Sequence, residues 1–143
     1  MGRLKNFLTS SNSKCKDTTK CLKLSDIKSK FIFAMMDKGN YYPCLILGEA
    51  TIIKNGFKVY FLRQDVETEI PSTNLIPDPD VLKESEVSYV ENSHVKIGVV
   101  MCLDKVKYSH TPTSFLIQSK NKCAWIPLPR VFLTKEQASA LLL

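Results

Sequence analysis

The feature that most limits the fold is the brevity of the β-rich runs between residues 28 and 76, punctuated by Asn and Gly. Phe31 to Met36 ends at a turn over Asp37 to Asn40, and Tyr41 to Leu47 leads to a second turn at Lys54 to Gly56. Phe57 to Leu62 is then followed by a polar strand that stops at Ile70 and Pro71. Short β-rich runs with so few residues between them are what a small, strongly bent antiparallel barrel requires. Asn55-Gly56 predicts a two-residue type I′ turn joining Ile52-Ile53 to Phe57–Leu62, because that turn needs positive φ at both positions. In the strand after it, Phe57, Val59 and Phe61 share one face and Tyr60 lies on the other. Phe31 to Met36 is dense enough in apolar groups to be a buried strand, and Pro43 marks an edge or bulge in the next one.

After a stiff polar boundary at Pro77 to Asp80 the same grammar returns. Val87 to Val90 reads as a short strand and Lys96 to Leu103 as a long one, with a bend or bulge at Gly98. Asp104 to Thr113 reads as a polar loop, and Ser114–Gln118 and Cys123–Ile126 flank a turn at Lys120-Asn121. Thr134-Lys-Glu-Gln137 is a capping box that opens a short helix through Ala138, Ala140 and the leucines 141 to 143. A helix of that length must pack on what precedes it to persist. The expected fold class is all-β: an arm over residues 1–27, a first barrel over 28–78, a second over 79–133, and a C-terminal helix over 134–143. Each barrel alone would have a marginal core, so the two should share an interface. One continuous β-domain is the alternative.

Charge is distributed unevenly. Residues 1–30 carry eight Lys/Arg against two acids, whereas the rest of the chain is balanced, so the whole formal charge of +6 lies in the leading segment. Clustered Lys and Arg displace counterions from phosphates whatever the base sequence, so this segment is expected to meet a polyanion. The five cysteines form no CxxC pair and have no His at zinc-like spacing, which fits free thiols in a reducing compartment and no metal or other cofactor. No apolar run is long enough to cross a bilayer, and Met1 to Ser10 lacks a secretory core, so a nuclear or cytosolic protein is expected.

Catalysis has little support. His94 and His110 lie in polar stretches without a Ser or Cys motif beside them, no Gly-rich phosphate loop occurs, and the acids are not paired. A binding protein is expected rather than an enzyme. Aromatic residues are concentrated in the first unit, where Phe31, Phe33 and Phe57 read as core. One of Tyr41 and Tyr42, being adjacent on a strand, must point outward. Rings presented on neighbouring strands can hold a methylated ammonium through cation–π attraction.

The chain resembles the tandem Tudor module of the DNA-damage checkpoint adaptors of vertebrates and fungi. The likeness rests on Asp37-Lys-Gly-Asn-Tyr-Tyr-Pro-Cys-Leu-Ile46, Gly56-Phe-Lys-Val-Tyr-Phe61, Asn74-Leu-Ile-Pro-Asp-Pro79, Ile97-Gly-Val-Val100 and Leu133-Thr-Lys-Glu-Gln137, in consistent order over about residues 28 to 143. It implies two SH3-like barrels from a larger nuclear protein that binds chromatin. It also implies a methyllysine cage in the first barrel: Tyr42 matches the family's Tyr, Phe61 its aromatic and, with one residue inserted, Asp65 its acid. Met35 stands where the family has Trp, and Val66 replaces the last ring. The expected partners are double-stranded DNA, contacted by Lys14, Lys16, Lys20, Lys23, Lys28, Lys30 and Arg63, and a histone tail or nucleosome. No membrane or small-molecule substrate is expected. The competing expectation is a scaffold for an acidic or proline-rich peptide.

Overall fold

The computed structural model describes residues 22–36, 39–105 and 112–142. Within them the chain is mostly strand, arranged as two five-stranded antiparallel sheets with one short α-helix. The first sheet holds β1 (Phe31–Met35), β2 (Tyr41–Glu49), β3 (Gly56–Phe61), β4 (Val66–Pro71) and β5 (Leu75–Ile76), in the order β4-β3-β2-β1-β5. The second holds β6 (Glu86–Glu91), β7 (His94–Lys105), β8 (Pro112–Ser119), β9 (Lys122–Pro127) and β10 (Val131–Phe132), in the order β9-β8-β7-β6-β10. The connectivity is thus repeated: in each sheet the last short strand returns beside the first, after a 3-10 turn at Ser72–Asn74 or Leu128–Arg130. The expectation of an all-β chain with a closing helix agrees with this arrangement.

β1 explains why the two halves stay together. Its even residues, Ile32 and Ala34, pack with Cys44, Phe57, Val59 and Phe61 in a core belonging to the first sheet. Its odd residue Phe33 enters a second core with Val87, Val100, Phe115 and Ile117 of the second sheet. The Phe33 and Phe115 rings lie 6.2 Å apart. A strand buried on both faces reads as an unbroken apolar run rather than an alternating one, as Phe31 to Met36 does. Backbone bonds add a second tie: Tyr41 N–H donates to the Leu133 carbonyl at 2.8 Å, and Leu133 N–H donates back to Tyr41 at 2.9 Å.

Helix α1 (Lys135–Leu142) begins at the predicted capping box, where Gln137 N–H donates to Thr134 Oγ1 at 3.2 Å and Thr134 N–H donates to Gln137 Oε1 at 3.0 Å. The same Gln137 oxygen accepts from the buried Ser88 hydroxyl of β6 at 3.0 Å, which fastens the helix to the second sheet.

Four local expectations are corrected. Asn55 alone of the Asn-Gly pair is left-handed (φ 56), and β2 ends at Glu49, so a wider loop over residues 50–55 replaces the type I′ turn. Gly56 is needed for close approach instead, since a Cβ there would stand 2.6 Å from the Ile70 carbonyl oxygen. The hairpin with two left-handed residues is at Asn92-Ser93 (φ 53 and 66), between β6 and β7. Gly98 is no bulge but a packing site against Ile117 and Gln118, and the register shifts after it, between Val100 and Cys102. Pro43 lies in the central strand β2, but beyond the point where β3 begins to pair, at Cys44 with Phe61. The boundary at Pro77 to Asp80 also acquires structure: Asp78 accepts from Asp80 N–H at 3.0 Å and starts a 3-10 turn that buries Leu82. Residues 106–111, most of the expected polar loop, lie outside the described residues.

The loop over residues 50–55 is held by one carboxylate. Glu69 of β4 accepts from the backbone N–H groups of Thr51, Ile52 and Ile53 at 2.9 to 3.0 Å, and from the Thr51 hydroxyl at 3.1 Å. These donors, the Thr51 N–H foremost, lower its pKa from the usual 4.5 to about 2. A depressed carboxylate contributes stability above its unfolded pKa and loses it as pH falls through the folded one. Urea denaturation between pH 5 and about 2 should therefore show a stability loss in the parent that Glu69→Gln lacks. Gln137→Ala, which strands the Ser88 hydroxyl and removes half the capping box, should cost about 1–3 kcal/mol in the same assay near neutral pH.

Candidate functional site

The alternation of β2 buries Tyr41 and leaves Tyr42 half exposed. Because Leu133 bridges to Tyr41, the neighbouring residues Phe132 and Tyr42 are brought side by side from opposite halves of the molecule. Their rings stack with centroids 5.5 Å apart and planes inclined by 21°. Arg63, in the turn after β3, lies over both: its guanidinium carbon is 5.9 Å from the Tyr42 centroid and 5.7 Å from that of Phe132. Each such contact is worth about 0.5–1 kcal/mol at an exposed site. A guanidinium lying over rings still directs its N–H groups outward in its own plane, where a carboxylate or phosphate can accept two of them.

The four residues expected to form a methyllysine cage do not converge. Phe61 is 0% exposed, in the core with Cys44 and Val59, because the alternation that turns Phe57 and Val59 inward turns Phe61 inward as well. Met35 pairs with Tyr41 and packs against the other core, so it leaves β1 on the face opposite Tyr42, whose partner is Ala34. Asp65 (φ 58) accepts from the Tyr60 hydroxyl at 2.6 Å, and Tyr60 leaves β3 on the face opposite Phe61. That bond to Asp65 also raises the Tyr60 pKa, since ionisation would set two anions against each other. Tyr42 alone of the four is half-exposed beside a second aromatic side chain, and that neighbour is itself buried, at 8% exposure. This second ring, Phe132, carries no sequence signal linking it to Tyr42, because the contact depends on how the two halves dock.

Of the expected DNA contacts, Lys23, Lys28 and Lys30 are exposed on the segment leading into β1. They approach β1 at its Phe31 end, whereas Tyr42 and Arg63 stand toward its Met35 end. Lys14, Lys16 and Lys20 lie outside the described residues, as does His110. His94 is exposed at the start of β7, and among the described residues no group of His, Cys, Asp and Glu could hold a metal ion. Burial pushes the Cys44 thiol up to about 12, so it packs as a small apolar side chain.

Neither the models of known protein families nor the curated proteins provide a match to this chain.

Separation of core from surface is directly measurable. Phe61→Ala should destabilise the fold by about 3–5 kcal/mol, while Tyr42→Ala should cost no more than about 1–2 kcal/mol, as read by urea denaturation.

Proposed function

We propose that the chain is a tandem Tudor module of a nuclear DNA-damage checkpoint adaptor that binds duplex DNA. In this reading each five-stranded unit is an SH3-like barrel. Two features support it: the repeated order, with the last short strand set beside the first, and the capped helix that ends the chain. The observation that carries the DNA assignment is Arg63 lying across Tyr42 and Phe132. Stacking fixes the guanidinium in advance, which lowers the entropy lost when it grips a phosphate. Lys23, Lys28 and Lys30 would extend the contact along the first unit, and the cationic residues 1–21 would continue it.

The histone part of the proposal changes in character. A methylated lysine would compete with Arg63 for the Tyr42 ring rather than enter a four-sided cage. Arg63 therefore favours phosphate at this ledge over a methylated tail, and a tail would bind best once Arg63 has been drawn away. The same guanidinium could accept an acidic peptide, so the alternative of a peptide scaffold is tested in parallel.

Duplex DNA titrated from low to physiological salt should give a log–log slope near −4 to −5, as expected for about five neutralised phosphates. Arg63→Ala should reduce the magnitude of that slope by about 1 and weaken binding at every sequence tested. The same variant should bind a dimethyllysine histone peptide more tightly than the parent, and Tyr42→Ala less tightly. A slope near zero, or an acidic peptide outcompeting DNA at physiological salt, would replace this reading with the scaffold.

A further inference from the structure

The outer face of the second sheet carries an apolar stripe that the DNA reading leaves unused. Val95, Ile97 and Val99 of β7 are 64%, 54% and 38% exposed, while Gly98 and Val100 between and after them are buried. Their partners on β6 are Val90, Ser88 and Glu86. Helix α1 covers this face at Ser88, through Gln137, and leaves a cleft of about 460 Å³ beside it. Ile97, Ala140 and Leu141 supply its apolar lining, and Glu84, Glu86 and Glu136 stand around it.

Among the described residues no lysine or arginine lines this cleft, and none of the three carboxylates has a cationic partner. Glu91, at the far end of β6, shows the contrast: Lys96 binds it at 2.8 Å and holds its pKa below the usual carboxylate range. The cleft is thus anionic and apolar-floored, on a body whose charges balance while the formal charge of +6 lies in residues 1–30.

We propose that this cleft docks a lysine- or arginine-rich peptide segment bearing apolar side chains, presented by a partner protein. The apolar groups would cover Ile97 and Leu141, and the cations would pair with Glu84, Glu86 and Glu136. The three carboxylates repel nucleic acid and anionic lipid alike. In a symmetric contact between two copies of the chain they would face one another. The cations of residues 1–30 repel a basic ligand from that end of the chain, and three carboxylates beside apolar side chains attract one to the cleft.

The test titrates the full chain into a fluorescein-labelled peptide of alternating lysine and valine, with an alternating glutamate and valine peptide as control. The parent should bind the lysine peptide and not the glutamate one. The triple variant Glu84→Gln, Glu86→Gln, Glu136→Gln should weaken binding by roughly tenfold or more. Ile97→Asn should weaken it independently, and amide shifts on titration should centre on Ile97, Ala140 and Leu141. Duplex DNA affinity should not fall in the triple variant, so failure here and failure of the DNA reading are separable. Equal affinity in the triple variant, comparable binding of the glutamate peptide, or Ile97-dependent dimerisation of the free chain would overturn the assignment. So would amide shifts at Ile97, Ala140 and Leu141 on deleting residues 1–21 in the absence of peptide, which would make the chain's own leading segment the occupant.

Discussion

The double burial of β1 is the constraint on which the rest of the molecule depends. Ile32 and Ala34 complete one core and Phe33 enters the other, so neither sheet can close its apolar face while β1 is exposed on the far side. A unit of this size buries too little surface to be comfortably stable alone. The pair therefore behaves as one folding problem with two sheets. The reciprocal backbone bonds between Tyr41 and Leu133 lie at the seam and fix the register of one half against the other. The candidate site is a product of that seam: Tyr42 follows Tyr41, Phe132 precedes Leu133, and Arg63 lies over the rings the bridge has set together. Loosening the seam would dissolve the aromatic ledge without touching any residue that forms it.

Charge divides the surface in a way that the net value conceals. Cations gather on the segment entering β1 and at Arg63, which stands toward the strand's far end. Among the described residues, carboxylates without cationic partners gather where α1 meets the second sheet. Within a Debye length of about 8 Å at physiological salt, each region presents its own sign to an approaching molecule. A polyanion and a polycation could then be held at once, on different faces and with little competition. The two proposed contacts are compatible for this reason, although neither depends on the other.

What was legible in the sequence was local. The run Phe31 to Met36, the alternation of β3 and the capping box at Thr134 each depend on neighbours within a few residues, and each is found in place. The burial of Phe61 was also legible, since period two binds its fate to that of Phe57 and Val59. Matching a family pattern by position assigned it outward against that parity. What could not be read depended on distant partners. Asn55-Gly56 gave the strongest turn signal in the chain, yet Glu69, from another strand, holds the preceding loop open with four hydrogen bonds. Phe132 became half of the aromatic ledge only through the docking of two sheets.

The repeated connectivity sharpens the contrast between the two units. Both sheets follow the same strand order, but their outer faces meet different neighbours. The outer face of β1 receives the core of the second unit, and little of it remains exposed. Among the described residues, the outer face of β6 and β7 receives only a short helix, which covers Ser88 and leaves Val95, Ile97 and Val99 exposed. Two copies of one topology in series necessarily leave a face without a third copy to cover it, and a helix of eight residues is too small to do so completely. The exposed stripe on β7 is therefore a consequence of the tandem arrangement itself, and the carboxylates around it determine which kind of molecule can complete the layer.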